Sequence, residues 1–277
     1  MRVKFAVFLV LGLLIMVLNC GERRACHYIE QLKSGDKETR IDASYQLLLM
    51  GKSAVEPLIQ VMRSGDERSR FIAIQLLGKI GDSRAVEPLI DALVGESLPL
   101  REVAAEALGK MADERCVPPL IDRLHHDPAP SVRAKAAEAL GVLRYIAAED
   151  ALIEALQDTS AEVRVKALAA LECFWDSRLN PLFVKMTEDP DEEVRYVAVQ
   201  ILRHTRFPGA LRQLIKLLND EVPAVRQEAA YALGEIGDKR AVRPLLNMLV
   251  EYKDEADRKA AQTALKKLTG AEYKVLE

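Results

Sequence analysis

Aromatic residues are scarce in this chain, at 5% of positions, and Trp175 is its only tryptophan. So few aromatics leave little with which to stack nucleic-acid bases or to fill the faces of a twisted sheet. Charge of one sign is also missing: 39 basic against 42 acidic residues leave a formal net charge of −3. No basic field is available to hold a phosphate backbone, so nucleic acid is not an expected partner. Histidines number four, and their one cluster, His125-His126-Asp127, has no Cys or carboxylate at a metal-ligand spacing. That cluster reads as a solvated loop, with no metal. Cys20, Cys26, Cys116 and Cys173 repeat no spacing, so no disulfide framework is expected, and Cys116 and Cys173 read as small buried hydrophobes. Phosphate-binding glycine loops, nucleophile elbows and His-Glu-x-x-His motifs are absent as well. These absences point to a chain with no catalytic residues and no cofactor, and so to a protein that is not an enzyme.

What the chain does have is 49% hydrophobic residues, mostly Ala and Leu set among Glu, Lys and Arg. These are strong helix formers, and the mixture predicts an all-α protein. The first residues stand apart. Met1-Arg-Val-Lys4 is basic, Phe5 to Leu18 is an unbroken apolar run, and Cys20 follows. As a helix that run rises about 21 Å, short of the ~30 Å hydrocarbon core, and its proportions match a secretory signal.

The remainder repeats. Arginines stand at 40, 70, 101, 133, 164, 195, 226 and 258, with intervals of 30 to 32 residues. Each is followed by Ala and Leu at helical spacing, then a turn, then a second apolar stretch. Arg226 to Gly234, then Glu-Ile-Gly-Asp238, then Ala241 to Leu249 is closely matched by Arg70 to Gly78, Lys-Ile-Gly-Asp82, and Ala85 to Leu93. Val132, Ala136, Leu140 and Leu143 mark one apolar stripe of a first helix. Gly81 and Gly237 sit where such a helix must stop in a left-handed cap, and prolines at 57, 88, 119, 181 and 244 fall early in the second helix. A helix pair cannot bury both its stripes alone, so successive pairs must stack.

This unit resembles the short HEAT-like repeat of phycobilin-lyase subunits and of bacterial scaffold proteins, over about Asp36 to Gly270. The resemblance implies an α-solenoid, a right-handed superhelix of about eight stacked helix pairs, closed by a cap at Leu268 to Tyr273. Val17-Leu18-Asn19-Cys20 likewise resembles a bacterial lipobox, although Val17 and Asn19 depart from its usual residues. That likeness implies lipidation of Cys20 and a membrane-anchored lipoprotein of the bacterial cell envelope. An uncleaved N-terminal helix or simple secretion are the alternatives. The expected organisation is a signal peptide over 1–19, a tether or partial first helix over 20–34, and the solenoid over 35–277.

Repeats of this family often carry an Asp six residues before the Arg, forming a ladder between adjacent copies. Asp127/Arg133, Asp158/Arg164, Asp189/Arg195 and Asp220/Arg226 keep that spacing, while Ser64, Gly95 and Tyr252 break it in outer copies. A ladder confined to the central repeats is therefore expected. The resemblance also implies a concave face lined by the second helices, whose outward residues would meet a protein partner. These are Glu56, Glu87, Asp91, Asp122, Asp150 and Glu154, then Arg212, Lys216 and Arg243, acidic first and basic last. Trp175, in a turn where other copies place Gly, is a further candidate contact. The function expected is that of a protein-binding scaffold. An accessory subunit of a chromophore or cofactor lyase and a purely structural spacer are the alternatives.

Overall fold

The computed structural model describes residues 24–273, apart from 96 and 175. The signal, the lipobox with Cys20, and the Trp175 contact therefore lie outside the described residues. Every regular element among them is helical. Two compact units divide the chain at Ala148/Glu149.

Unit 1 contains α1 (24–32), α2 (Lys37–Met50), α3 (Val55–Ser64), α4 (Glu67–Ile80), α5 (Val86–Leu93), α6 (Leu98–Gly109), α7 (Val117–His126) and α8 (Pro130–Leu143). Unit 2 contains α9 (Glu149–Ala155), α10 (Ala161–Glu172), α11 (Asn180–Met186), α12 (Glu192–Thr205), α13 (Leu211–Leu217), α14 (Pro223–Ile236), α15 (Val242–Glu251) and α16 (Glu255–Thr269). Even-numbered helices carry the repeating arginine, and the five repeating prolines all fall in odd-numbered helices, α3, α5, α7, α11 and α15. From α4 onward every even helix packs on the odd helix before it, so each unit is a two-layered α-solenoid. The segment expected to be a tether or partial first helix includes the described helix α1, whose Ala25, Ile29 and Leu32 are buried.

Local chemistry sets the helix ends. Asp36, Asp66, Asp191 and Asp254 each accept backbone N–H bonds at the start of α2, α4, α12 and α16. In α8 and α14 a first-turn proline, Pro130 or Pro223, replaces the capping side chain. Gly81 (φ 69°) and Gly237 (φ 80°) end α4 and α14 in the left-handed conformation, as their positions predicted. Arg144 and Arg206 take that conformation without a glycine, at φ 55° and 50°. The turns that follow use Asp82, Asp113, Asp176 and Asp238, each accepting the N–H two residues on. Of the expected stripe, Val132, Ala136 and Leu140 are fully buried and Leu143 is half-buried, and each large buried side chain contributes about 1.5–3 kcal/mol. At the far end Gly270 caps α16, and the tail turns back so that Gln262 donates to the Tyr273 carbonyl at 3.0 Å.

Candidate partner-binding surfaces

The repeating arginines are structural fasteners, with a geometry richer than the spacing implied. Arg195 donates through Nε and Nη2 to both carboxylate oxygens of Asp220, each at 2.9 Å. Its Nη1 donates to the carbonyls of Asp189 and Pro190 at 3.1 Å. The Asp six residues before an arginine thus gives that arginine only its backbone oxygen. Its carboxylate serves the arginine of the preceding copy. Arg164 repeats the pattern with the Asp189 carboxylate at 2.9 and 2.7 Å and the Asp158 carbonyl at 2.8 Å. Each fork is bidentate, and the Arg164 and Arg195 guanidinium pKa values rise chiefly because of that hydrogen bonding.

The expectation of a ladder limited to the central copies is corrected. Arg101 reaches Asp127 at 2.9 and 3.2 Å although Gly95 stands six residues before it. Arg226 reaches the buried Asp257 at 3.2 and 2.6 Å. Asp257 directly precedes Arg258, so no rule about a six-residue spacing finds it. Arg133 donates to the Asp127 carbonyl at 2.9 Å, and Arg226 to that of Asp220 at 2.8 Å. At the outer copies Arg40, Arg70 and Arg258 bond to the carbonyls of Ser34, Met62 and Tyr252. Asp127 is thereby withdrawn from its histidine neighbours, and His126 bonds instead to Asp122 at 3.0 Å. Among the described residues no group of three His, Cys, Asp or Glu is placed to hold a metal ion.

Which layer faces inward follows from helix spacing. A Cβ added to Gly78 would lie 2.7 Å from the Ala107 Cα, and one on Gly109 would lie 2.8 Å from the Ala139 Cα. In unit 2, one on Gly234 would lie 2.9 Å from the Ala264 Cα. Small residues thus let successive even helices nearly touch through their backbones, while successive odd helices stand farther apart. A double layer bends toward its more tightly spaced side, so the arginine-bearing helices line the inner face of each unit.

This corrects the sequence-based placement of the groove. Glu56, Glu87, Asp91 and Asp122 in unit 1 are exposed, as are Asp150, Glu154, Arg212, Lys216 and Arg243 in unit 2. All nine project from the odd, outer layer. Cations already accompany several: Arg84 lies 3.6 Å from Glu56, Arg115 lies 3.5 Å from Glu87, and Arg123 pairs with Asp122. Arg243 lines a cleft of about 400 Å³ between α13 and α15.

The inner rows lie five and nine residues after each arginine. In unit 1 they read Tyr45, Gln75, Glu106, Glu138 and Leu49, Lys79, Lys110, Val142, apolar at α2 and mostly charged beyond it. Glu106, Lys110, Glu138 and Val142 frame a cleft of about 190 Å³. In unit 2 Arg203 lies over the Tyr231 ring at 5.7 Å and bonds to Glu228 at 2.8 Å. Lys267 and Arg206 both pair with Glu235, and His204 bonds to Glu172 at 2.8 Å. The sequence signal for these rows was the arginine period itself, read with an offset of five and nine.

The family model for HEAT repeats matches residues 27–109, 117–174 and 179–266. This chain is a HEAT-repeat protein. A second model, the phycobilisome-lyase (PBS lyase) HEAT-like repeat, matches 100–126 of it. Among solved structures, this HEAT-repeat chain is similar to the complex of CpcE and CpcF of phycocyanin lyase from Nostoc sp. PCC7120. Identity there is 30%, over 77% of this chain and 86% of that one, with a TM-score of 0.50. The YibA protein of E. coli shares 24% identity over 93% and 97% of the two chains, with a TM-score of 0.63. An archaeal HEAT-like repeats protein from Thermococcus onnurineus NA1 shares 15% over 78% and 97%, at 0.55. The last two show the fold alone. No curated protein sequence matches the chain.

Proposed function

We propose that this HEAT-repeat chain is a non-catalytic scaffold that binds a protein partner along the inner face of its arginine-bearing helices. One observation carries the reading. Beyond the arginine–aspartate fasteners, the rows five and nine residues further on place exposed polar side chains such as Gln75, Lys79 and Lys110 on successive even helices. Such rows on a rigid helical array suit an extended or helical partner. A solved HEAT-like neighbour at 30% identity is itself a complex of two protein chains, which supports a protein partner. The basic start, the apolar run and Cys20 support export to the bacterial envelope with a lipid anchor.

The test is affinity capture from detergent-solubilised envelope, with the chain from Gly21 as bait, since every described helix follows that residue. Lys79→Glu with Lys110→Glu alters the inner face, and Asp91→Lys with Asp122→Lys alters the outer layer. Loss of one enriched partner with the inner pair alone supports the proposal. Loss with the outer pair alone returns the site to the odd helices, and no enrichment by any form favours a spacer. A second reading, an accessory subunit of a chromophore lyase, is favoured by the phycocyanin lyase neighbour. Visible absorbance from a co-purified tetrapyrrole would support it, and a colourless protein from pigment-making cells would count against it.

A further inference from the structure

The first arginine-bearing helix differs from all the others in unit 1. On α2, Ile41, Tyr45, Leu48 and Leu49 are 59, 58, 37 and 64% exposed and share one face, being spaced by four, three and one residues. One repeat later Tyr45 and Leu49 are replaced by Gln75 and Lys79, and two repeats later by Glu106 and Lys110. The repeat architecture therefore does not require an apolar face here. Leu48 also stands where α4 and α6 have Gly78 and Gly109, and α2 packs less closely on α4 than α4 does on α6. Among the described residues no helix of the even layer precedes α2.

We propose that this face of α2 is a membrane-contact surface that lies in the interfacial zone of a lipid bilayer. The chain outside the structure argues for that occupant. Only residues 33–36 separate α1 from α2. The apolar run ends only six residues before α1. A bilayer that holds that run or Cys20 is therefore within a few residues' reach of α1 and of the helix α2 that follows it. Tyr45 adds an aromatic ring with a polar tip of the kind found at membrane interfaces, and the exposed charges around the face are of both signs, Arg24, Lys37 and Lys52 with Glu38 and Asp42. This inference rests on the anchor reading for where the bilayer lies, but the face can be tested without it.

The experiment is flotation of the unlipidated chain from Gly21 with phosphatidylethanolamine/phosphatidylglycerol vesicles. Partitioning is expected, and Ile41→Ser, Tyr45→Ser and Leu49→Ser together should reduce it roughly tenfold. These side chains are exposed, so the circular dichroism melt should not move, and Leu49→Glu alone serves as a milder second variant. Gln75→Ser, at the matching position of the next copy, should float like the parent. No flotation of the parent chain, or flotation unchanged by the α2 variants, overturns the proposal. So does loss of a captured protein by the α2 variants when vesicle binding is intact, because the face would then belong to a protein partner. Mass analysis of Cys20 in the native protein tests the anchor separately, so either reading can fail alone.

Discussion

Removing the carboxylate of Asp257 is the sharpest test of the fastening network. Asp257 is fully buried and accepts from Arg226 Nε and Nη2 at 3.2 and 2.6 Å and from Gln227 Nε2 at 2.9 Å. In Asp257→Ala the guanidinium of Arg226, only 8% exposed, stays buried. It keeps the carbonyls of Asp220 and Glu221 at 2.8 and 3.2 Å and the Tyr252 ring at 4.5 Å. An uncompensated buried charge costs about 3–5 kcal/mol, and the ring offsets up to about 1–2 kcal/mol of it. A loss of about 3 kcal/mol is therefore expected. Urea denaturation followed by circular dichroism reads it, and amide exchange in α14 and α16 locates it. Arg226→Met combined with Asp257→Leu should recover most of the loss, because apolar isosteres leave no charge to solvate. Glu272→Gln, which removes an exposed partner of Lys266, is the surface control. If Asp257→Ala proves no more damaging than Glu272→Gln, the network does not fasten the repeats and the reasoning fails.

Other expectations follow from the same geometry. Gly109→Ala places a methyl 2.8 Å from the Ala139 Cα, a backbone atom that cannot swing aside, and should cost about 1–3 kcal/mol in the same denaturation assay. A change within error would mean that the even helices slide apart freely. Hydrogen bonds from Arg240, side chain first and backbone second, hold the Asp238 pKa down to about 2. Side-chain bonds likewise depress Asp36, Asp66, Asp82, Asp113 and Asp176 below 3.8. The unfolded chain then takes up protons first, so stability is intact above about pH 4 and drains away as pH falls toward about 2. A urea midpoint that stays flat from about pH 5 to about pH 2 would contradict this. Burial raises the Cys116 thiol to about 11, whereas Cys26 is exposed. Iodoacetamide on the folded protein should label Cys26 and spare Cys116, as peptide mass mapping would show, and equal labelling would contradict that burial.

The repeat, its helical content and its turn positions were all legible in the amino-acid order. They depend on short-range chemistry: the 3.6-residue period, aspartate caps, and glycines at left-handed positions such as Gly81 and Gly237. The arginine period even marked the residues that fasten one copy to the next. Three things were decided only by tertiary packing. Which carboxylate meets which arginine depends on contact between copies, so Asp257 does the work of an aspartate at a different sequence offset. Which layer faces inward depends on how closely neighbouring helices approach, and that is set by Gly78, Gly109 and Gly234 against Ala107, Ala139 and Ala264. The apolar face of α2 became distinct only once its neighbours were in place, since exposed Leu48 and Leu49 directly follow the fully buried Leu47. Local rules specify each helix because they act within a turn or two of chain. The surfaces available to a partner arise between copies some thirty residues apart, where only the packed structure brings side chains together.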